Sequence, residues 1–200
     1  MRDRIWFMVL VLGLVGGVAG LGLAAVRDLT FPVIEKRILD EKVKPTLETL
    51  FAPLGIDNDY IADRVVLDLG LDDWGRKIRL TVFVGRKGGA PAAVALQTAG
   101  GGYGGDIEVL TAFDIAGGKI IGVKTLAQKE TKGLGARVSD DGEPFIKQFA
   151  GLAYEGGVKL RSADGEVDAI SGATISSTGF TAAVDSAVRL LAERRAEILK

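Results

Sequence analysis

Three hydroxyl side chains, those of Thr174, Ser176 and Ser177, lie where a polar turn leads into the last apolar segment of the chain. Apolar residues recur at helical spacing in that segment, which predicts a helix that begins at or just after Thr174. The first backbone N–H groups of such a helix lack intrahelical partners, and the helix dipole favours a negative charge beside them. Gly172 and Ala173 keep large side chains away from the same place. This pattern is typical of a site for the phosphate of a bulky cofactor.

A simpler interpretation of the same hydroxyls is that they only cap the helix. Ser and Thr before an apolar run are the usual N-cap residues, and on the motif alone this is the commoner case. A cap and a phosphate site predict the same helix boundary, so the hydroxyl pattern by itself does not separate the two.

The composition restricts the chemistry that the chain can perform by itself. Its 200 residues contain no Cys and no His, which removes disulfides, thiol chemistry, zinc sites and the usual protein ligands of haem and iron–sulfur centres. The formal net charge of -1 does not indicate a nucleic-acid partner. Any redox function therefore needs an added organic cofactor.

The N-terminal segment 5–26 carries no charged residue and is long enough to cross a bilayer. A cleavable signal peptide is the competing interpretation, but the apolar run is longer than an ordinary signal core and no clear processing site follows it. We therefore expect a retained membrane anchor over residues 1–29. Arg and Lys residues flank the segment on both sides, so the charges do not determine its orientation.

The remaining chain divides into a connector and a domain. Residues 30–56 form a charged amphipathic stretch that Pro45 should kink or break, and residues 57–200 are expected to fold as the domain. Alternating and apolar runs predict neighbouring strands at 78–84 and 92–98, then a hairpin of strands 107–114 and 119–126. A short helix is predicted from Pro144 onward.

The glycine-rich run 100–105 is too long for a single turn. Its backbone would allow a flat ligand to approach closely, and Tyr103 could stack on that ligand, but a loop over a sheet edge is an equally good interpretation. A dinucleotide-binding fingerprint is excluded, because a strand follows the run where that motif needs a helix.

The residues at the predicted helix start resemble a family motif. Asp168, Ser171, Gly172, Ala173 and Thr174 match the Asp-x-x-(Ser/Thr)-Gly-Ala-Thr flavinylation motif of the FMN-binding domain family, found in the G subunit of Rnf electron-transport complexes and the C subunit of sodium-pumping NADH:quinone reductases. The resemblance implies that Thr174 carries FMN through a phosphoester bond. It also implies that a flavin transferase makes this bond with FAD as donor.

A second segment resembles the same family. Residues 130–135 are similar to its Glu-Thr-Pro-Gly-Leu-Gly loop, although Lys132 stands where the family usually has Pro and Gln128 where it often has His. A plain connection from strand to helix is the alternative for this loop. The N–H groups of Thr131, Gly133 and Gly135 are expected to be exposed and able to bond a flavin edge. Together the two motifs and the glycine run imply these cofactor-binding residues: Asp168, Ser171, Gly172, Ala173, Thr174, Ser176, Tyr103, Gly104, Glu130, Thr131, Gly133, Leu134 and Gly135.

The resemblance implies an α+β fold, with an antiparallel β-sheet and packed helices preceded by one N-terminal transmembrane helix. The implied function is electron transfer by covalent FMN in a membrane-bound ion-translocating oxidoreductase complex. The implied partners are the other subunits and the transferase, with the domain facing the periplasm or the outside. The alternatives are a membrane-tethered binding or assembly module without cofactor, and a free-standing enzyme with noncovalent flavin, for which Glu130 and Asp106 are the only acid or base candidates.

Overall fold

The computed structural model describes residues 2–71 and 77–200. The chain forms two compact units, Met1–Lys42 and Val43–Lys200. The first unit is helical: α1 runs from Arg2 to Ile38 and continues into a π-helical turn, Leu39–Val43. Among the described residues, one helical stretch is long and apolar enough to cross a membrane, with a mean hydropathy of 2.4 and none of its apolar window buried. The expected apolar N-terminal helix is therefore confirmed as a candidate membrane span.

The second unit is built on a five-stranded antiparallel sheet in which every strand pairs with its neighbour in sequence. The predicted antiparallel strand pair and the predicted hairpin are both confirmed. The first strand was not predicted, although Leu67, Leu69 and Leu71 alternate with Asp68 and Gly70 in the pattern of a strand. The strands are β1 Val65–Leu71, β2 Lys77–Lys87, β3 Ala90–Gly101, β4 Asp106–Asp114 and β5 Lys119–Ala127.

Helices cover the two faces of this sheet. The long helix α4, Thr174–Glu193, packs on β3 and β4, and the main apolar core lies between them. On the opposite face, α2, Lys44–Phe51, contacts β5. Pro45 lies in the first turn of α2, directly after the π-helical turn Leu39–Val43. Two short helices, α3 Pro144–Lys147 and α5 Arg195–Ile198, complete the unit, which has the expected α+β fold.

A glycine pair lets α4 approach β3 closely. A Cβ atom on Gly100 would lie 2.1 Å from the carbonyl oxygen of Gly179, and one on Gly179 would lie 2.3 Å from the carbonyl oxygen of Gly101. Next to this crossing, the Thr98 hydroxyl donates a hydrogen bond to the carbonyl of Ala183 at 2.8 Å. The first glycine of the run 100–105 is therefore required by the helix, which accounts for part of the run without a ligand.

We expect residues 43–200, produced alone, to be soluble and folded, and the full chain to partition into membranes. The apolar window of α1 is unburied, whereas the second unit has its own core. Cell fractionation and circular dichroism of the two forms would check this. Recovery of unprocessed full-length chain in the soluble fraction would contradict it.

A second prediction concerns the close approach of α4 to β3. Gly100→Ala in the segment 43–200 should lower the free energy of unfolding by about 1 to 3 kcal/mol, because its methyl group overlaps backbone atoms of α4. Gly101→Ala is the matched control in the same strand, since its Cβ would meet nothing within 4 Å. Urea unfolding of the two variants measures the difference, and equal stabilities would show that the close approach is not required.

Candidate functional site at the start of α4

The chain makes a sharp turn before α4. Gly172 has a φ of +78°, in the left-handed region that favours glycine, and the N–H of Ala173 donates to the carbonyl of Ile170 at 3.0 Å. The helix then begins at Thr174, as predicted. Ala173, the residue before the helix, has no side-chain oxygen and makes no capping bond.

The three predicted hydroxyls differ in what they contact. Ser177 is buried; its hydroxyl donates to the carbonyl of Ala173 and accepts from the N–H of Ile170, both at 3.0 Å. Ser176 is also buried, and its hydroxyl donates to the carboxylate of Glu130 at 2.5 Å. Thr174 is exposed, and its hydroxyl has no hydrogen-bond partner among the described residues. Thr174 therefore does not cap the helix, and of the three it alone presents a free hydroxyl to solvent.

The backbone at the start of α4 offers hydrogen-bond donors to an anion. The first intrahelical bond is donated by the N–H of Ser177 to the carbonyl of Ala173 at 2.9 Å. The N–H groups of Thr174, Ile175 and Ser176 have no acceptor within the described part of the chain. Unpaired N–H groups and the positive end of the helix dipole together favour a phosphate at this position. The residues present therefore fit the predicted phosphate site.

The turn that leads to this site is held at Asp168. Its two carboxylate oxygens accept from the guanidinium of Arg161 at 2.6 and 3.2 Å. The side chain of Gln148 bonds both the N–H and the carbonyl of Asp168, at 2.8 and 3.1 Å. The hydrogen bonds from Arg161 hold the pKa of the Asp168 carboxyl below its ordinary value. Gln148 therefore holds the backbone that enters the motif, and Ser171 follows as an exposed residue of the turn between Ile170 and Ala173.

Glu130 joins the segment at Gly104 to the start of α4. One carboxylate oxygen accepts the N–H of Gly104 at 2.8 Å, and the other accepts the hydroxyl of Ser176 at 2.5 Å. The side chain is only 8% exposed. The N–H of Glu130 itself donates to the side-chain oxygen of Gln128 at 2.5 Å, so Gln128 has a structural role here.

Three glycines make room for this carboxylate and its surroundings. A Cβ on Gly102 would lie 2.5 Å from one Glu130 oxygen, and a Cβ on Gly135 would lie 2.5 Å from the other. A Cβ on Gly104 would lie 2.2 Å from the carbonyl of Lys129. Packing around Glu130 thus accounts for these glycines. Gly135, whose N–H was expected to be exposed, is a buried residue packed against Glu130 and Ser176.

The environment of Glu130 keeps it ionised. Burial raises the pKa of its carboxyl, but the hydrogen bonds from Ser176, Gly104 and Tyr103 lower it by more, so the pKa lies below the ordinary value. Both oxygens are already bonded, so Glu130 is not placed as an acid or base for a substrate. Asp106, the other candidate, is exposed at the start of β4.

Three large apolar side chains are exposed around this buried carboxylate. Tyr103 is 75% exposed, Leu134 50% and Ile175 55%, and each precedes a residue that lies against Glu130, namely Gly104, Gly135 or Ser176. Apart from Val66, no other large apolar side chain is exposed among the described residues of the second unit. Leu134 lies beside the turn before the helix, since a Cβ on Gly172 would be 3.9 Å from its Cδ2. We call Tyr103, Leu134 and Ile175 the apolar triad.

Of the remaining predicted loop residues, Thr131 and Gly133 are exposed, as expected. Sequence reasoning missed the bond between Glu130 and Ser176. A signal was available, because Ser176 lies on the same helical face as the buried residues Phe180, Ala183 and Ala187. That spacing places Ser176 toward the core.

Known proteins resemble this chain over most of its length. The model of the FMN-binding domain family matches residues 102–189, which include Glu130, the apolar triad and the whole motif at 168–174. The G subunit of the ion-translocating oxidoreductase complex from Cereibacter sphaeroides is 35% identical over 194 residues, covering 95% of this chain and 85% of that protein. The chain belongs to the family of G subunits of ion-translocating oxidoreductase complexes, and it contains an FMN-binding domain. The resemblance read from the two motifs is thus confirmed.

Other members of the family are similar over most of their length. The corresponding protein of Stutzerimonas stutzeri is 32% identical, covering 87% of this chain and 75% of its own length. A crystal structure of the C subunit of Na⁺-translocating NADH-quinone reductase from Parabacteroides distasonis has the same fold, with a TM-score of 0.50 and 22% identity, covering 72% of this chain and 79% of that chain.

Loss of the Ser176 hydroxyl should destabilise the domain. Ser176→Ala leaves a buried charged oxygen of Glu130 with one donor fewer, which should cost about 1.5 to 3 kcal/mol at neutral pH. Because the folded-state pKa of Glu130 is lowered, its contribution to stability is present above the ordinary Glu pKa and is lost as the pH falls through the folded value. In Ser176→Ala, the free energy of unfolding should therefore fall less on acidification than it does in the wild type.

Urea unfolding of the wild type and the variant between about pH 3 and pH 7 measures this effect. Thr178→Ala is the matched control, because it removes an exposed hydroxyl one turn from Thr174 that bonds only the helix backbone. Parallel pH profiles for all three proteins would contradict the role assigned to the bond between Ser176 and Glu130.

Proposed function

We propose that this protein carries FMN covalently on Oγ1 of Thr174 and relays electrons within a membrane-bound ion-translocating oxidoreductase complex. The observation that carries the proposal is that, among the described residues, the exposed hydroxyl of Thr174 has no hydrogen-bond partner and lies beside three N–H groups at the start of α4 that also have none. The neighbouring hydroxyls of Ser176 and Ser177 are buried and bonded, so they are poor competitors for modification.

The attachment is a group transfer from FAD. The bond that forms joins Oγ1 of Thr174 to the phosphorus of FMN, the pyrophosphate bond of FAD breaks, and AMP leaves while the hydroxyl loses its proton. A threonine hydroxyl is a weak nucleophile at neutral pH, so a transferase must supply the base and the metal that neutralises the phosphates. The N–H groups of Thr174, Ile175 and Ser176 would hold the resulting phosphate.

The apolar triad supports a place for the flavin ring next to Thr174. An exposed apolar surface on a small domain is costly unless a ligand or partner covers it. Tyr103, Leu134 and Ile175 would cover the ring, while the exposed residues Thr131 and Gly133 lie in the same loop as Leu134. Bound FMN supplies the electron transfer, and the protein supplies its position and electrostatic surroundings.

We also propose how the protein is arranged in the membrane. Residues 1–29 anchor the protein and residues 30–56 lead from the anchor to the sheet domain of residues 57–200, with the part of this connector from Val43 onward folded into the same compact unit as the sheet. The unburied apolar window in α1 supports an anchor. We propose that the domain faces the periplasm or the outside, and that other subunits of the complex exchange electrons with it.

Thr174→Ala should abolish flavin attachment when the protein is made together with the transferase, because the acceptor oxygen is lost. Thr174→Ser should keep part of it, since the nucleophile remains. Thr178→Ala, which removes the next exposed hydroxyl of α4, should load as the wild type does. Flavin fluorescence on a denaturing gel measures attachment, and peptide mass spectrometry locates it. Wild-type protein without FMN, or FMN on Ser176 or Ser177, would refute the assignment.

A further inference from the structure

Glu130 is the point where the parts of the proposed site meet. The turn that carries Tyr103 reaches it through the N–H of Gly104, and α4 reaches it through the hydroxyl of Ser176. Gly135, which follows Leu134, packs directly against its carboxylate. Each member of the apolar triad is thus one residue away from a contact with the same buried group.

The carboxylate has no ion-pair partner among the described residues. It is held by hydrogen bonds from neutral donors, namely a hydroxyl and backbone N–H groups, and by close packing of glycine backbone. Such bonds are short and directional, so they fix the relative positions of the segments that donate them. Without the carboxylate, the buried hydroxyl of Ser176 would lose its acceptor, and the N–H of Gly104, an exposed residue, would bond water instead, so the two segments would no longer be tied together.

The first turn of α4 connects this network to Thr174. Ser176 lies two residues after Thr174, so its side chain points about 200° away around the helix axis. The bond that draws Ser176 inward therefore turns Thr174 outward, in agreement with its exposure. If this turn were rotated about the helix axis, the hydroxyl of Thr174 would no longer face the FAD phosphorus that it attacks.

We propose that Glu130 is a positioning residue for flavin attachment: it holds the first turn of α4 and the two loops so that Thr174 and the apolar triad face one ligand. This inference rests on the proposed function, because it concerns the same acceptor. Glu130 acts through Ser176, Gly104 and Gly135 and does not itself react.

Substitutions at Glu130 distinguish the role of its hydrogen bonds from the role of its negative charge. In Glu130→Gln the amide oxygen can accept the N–H of Gly104, and the amide nitrogen can donate to the hydroxyl oxygen of Ser176, so the geometry is retained. In Glu130→Ala both links are lost. The initial rate of flavin attachment, measured with transferase and FAD at saturating concentrations of the acceptor protein, should fall about tenfold or more in Glu130→Ala. It should stay within about threefold of the wild type in Glu130→Gln.

Ser176→Ala provides a second variant in case Glu130→Ala does not fold. It removes only the link to α4 and should also slow attachment, whereas Thr178→Ala should leave the rate unchanged. The concentration of acceptor protein that gives half the maximal rate should change little, because the surface recognised by the transferase retains its side chains. Folding of each variant is verified by its thermal melting curve.

The outcomes distinguish this inference from the proposed function. Wild-type protein that receives no flavin on Thr174 would refute the proposed function. Wild-type protein that is labelled on Thr174, with Glu130→Ala or Ser176→Ala labelled at the same rate, would overturn the positioning role. A loss of attachment in Glu130→Ala that Glu130→Gln restores supports it.

Discussion

The hydrogen bond between Ser176 and Glu130 is the contact on which the arrangement of the site depends. It joins the first turn of α4 to a carboxylate that also binds the N–H of Gly104. A buried carboxylate is stable only when donors satisfy its oxygens, so each segment that contributes a donor is held in place by the others. Burial alone would favour the neutral acid, yet the donors keep the pKa of Glu130 below its ordinary value.

Backbone packing makes this contact possible. The carboxylate fits because Gly102 and Gly135 have no side chains, and α4 comes close enough to β3 because Gly100 and Gly179 have none. Glycine at these positions increases the entropy lost on folding. This entropic cost is offset by a rigid junction between the start of α4 and two loops. Thr174 and the apolar triad therefore lie on elements that the core holds in place.

Local turn residues and periodicity were sufficient to predict the helix start at Thr174 and the hairpin of β4 and β5, whereas the α+β class was implied by the family resemblance. The sequence was insufficient to predict what packs against the glycine run 100–105. Composition predicts a permissive backbone, but whether a ligand, a helix or a carboxylate occupies the space depends on contacts between residues far apart in the chain, such as Gly100 with Gly179. The contact of Ser176 with Glu130, 46 residues away, was missed for the same reason.

Under the proposed attachment to Thr174, the same contact would also explain how this hydroxyl is distinguished from its neighbours. Thr174, Ser176 and Ser177 have similar intrinsic reactivity, and a short flexible peptide would offer all of them to an incoming enzyme. In the folded domain Ser177 closes the turn before α4 and Ser176 binds Glu130, so the hydroxyls that stabilise the site are withdrawn from its surface. Under the proposed attachment, selectivity for Thr174 and stability of the helix start would arise from the same hydrogen bonds, and a folded acceptor domain would be required for both.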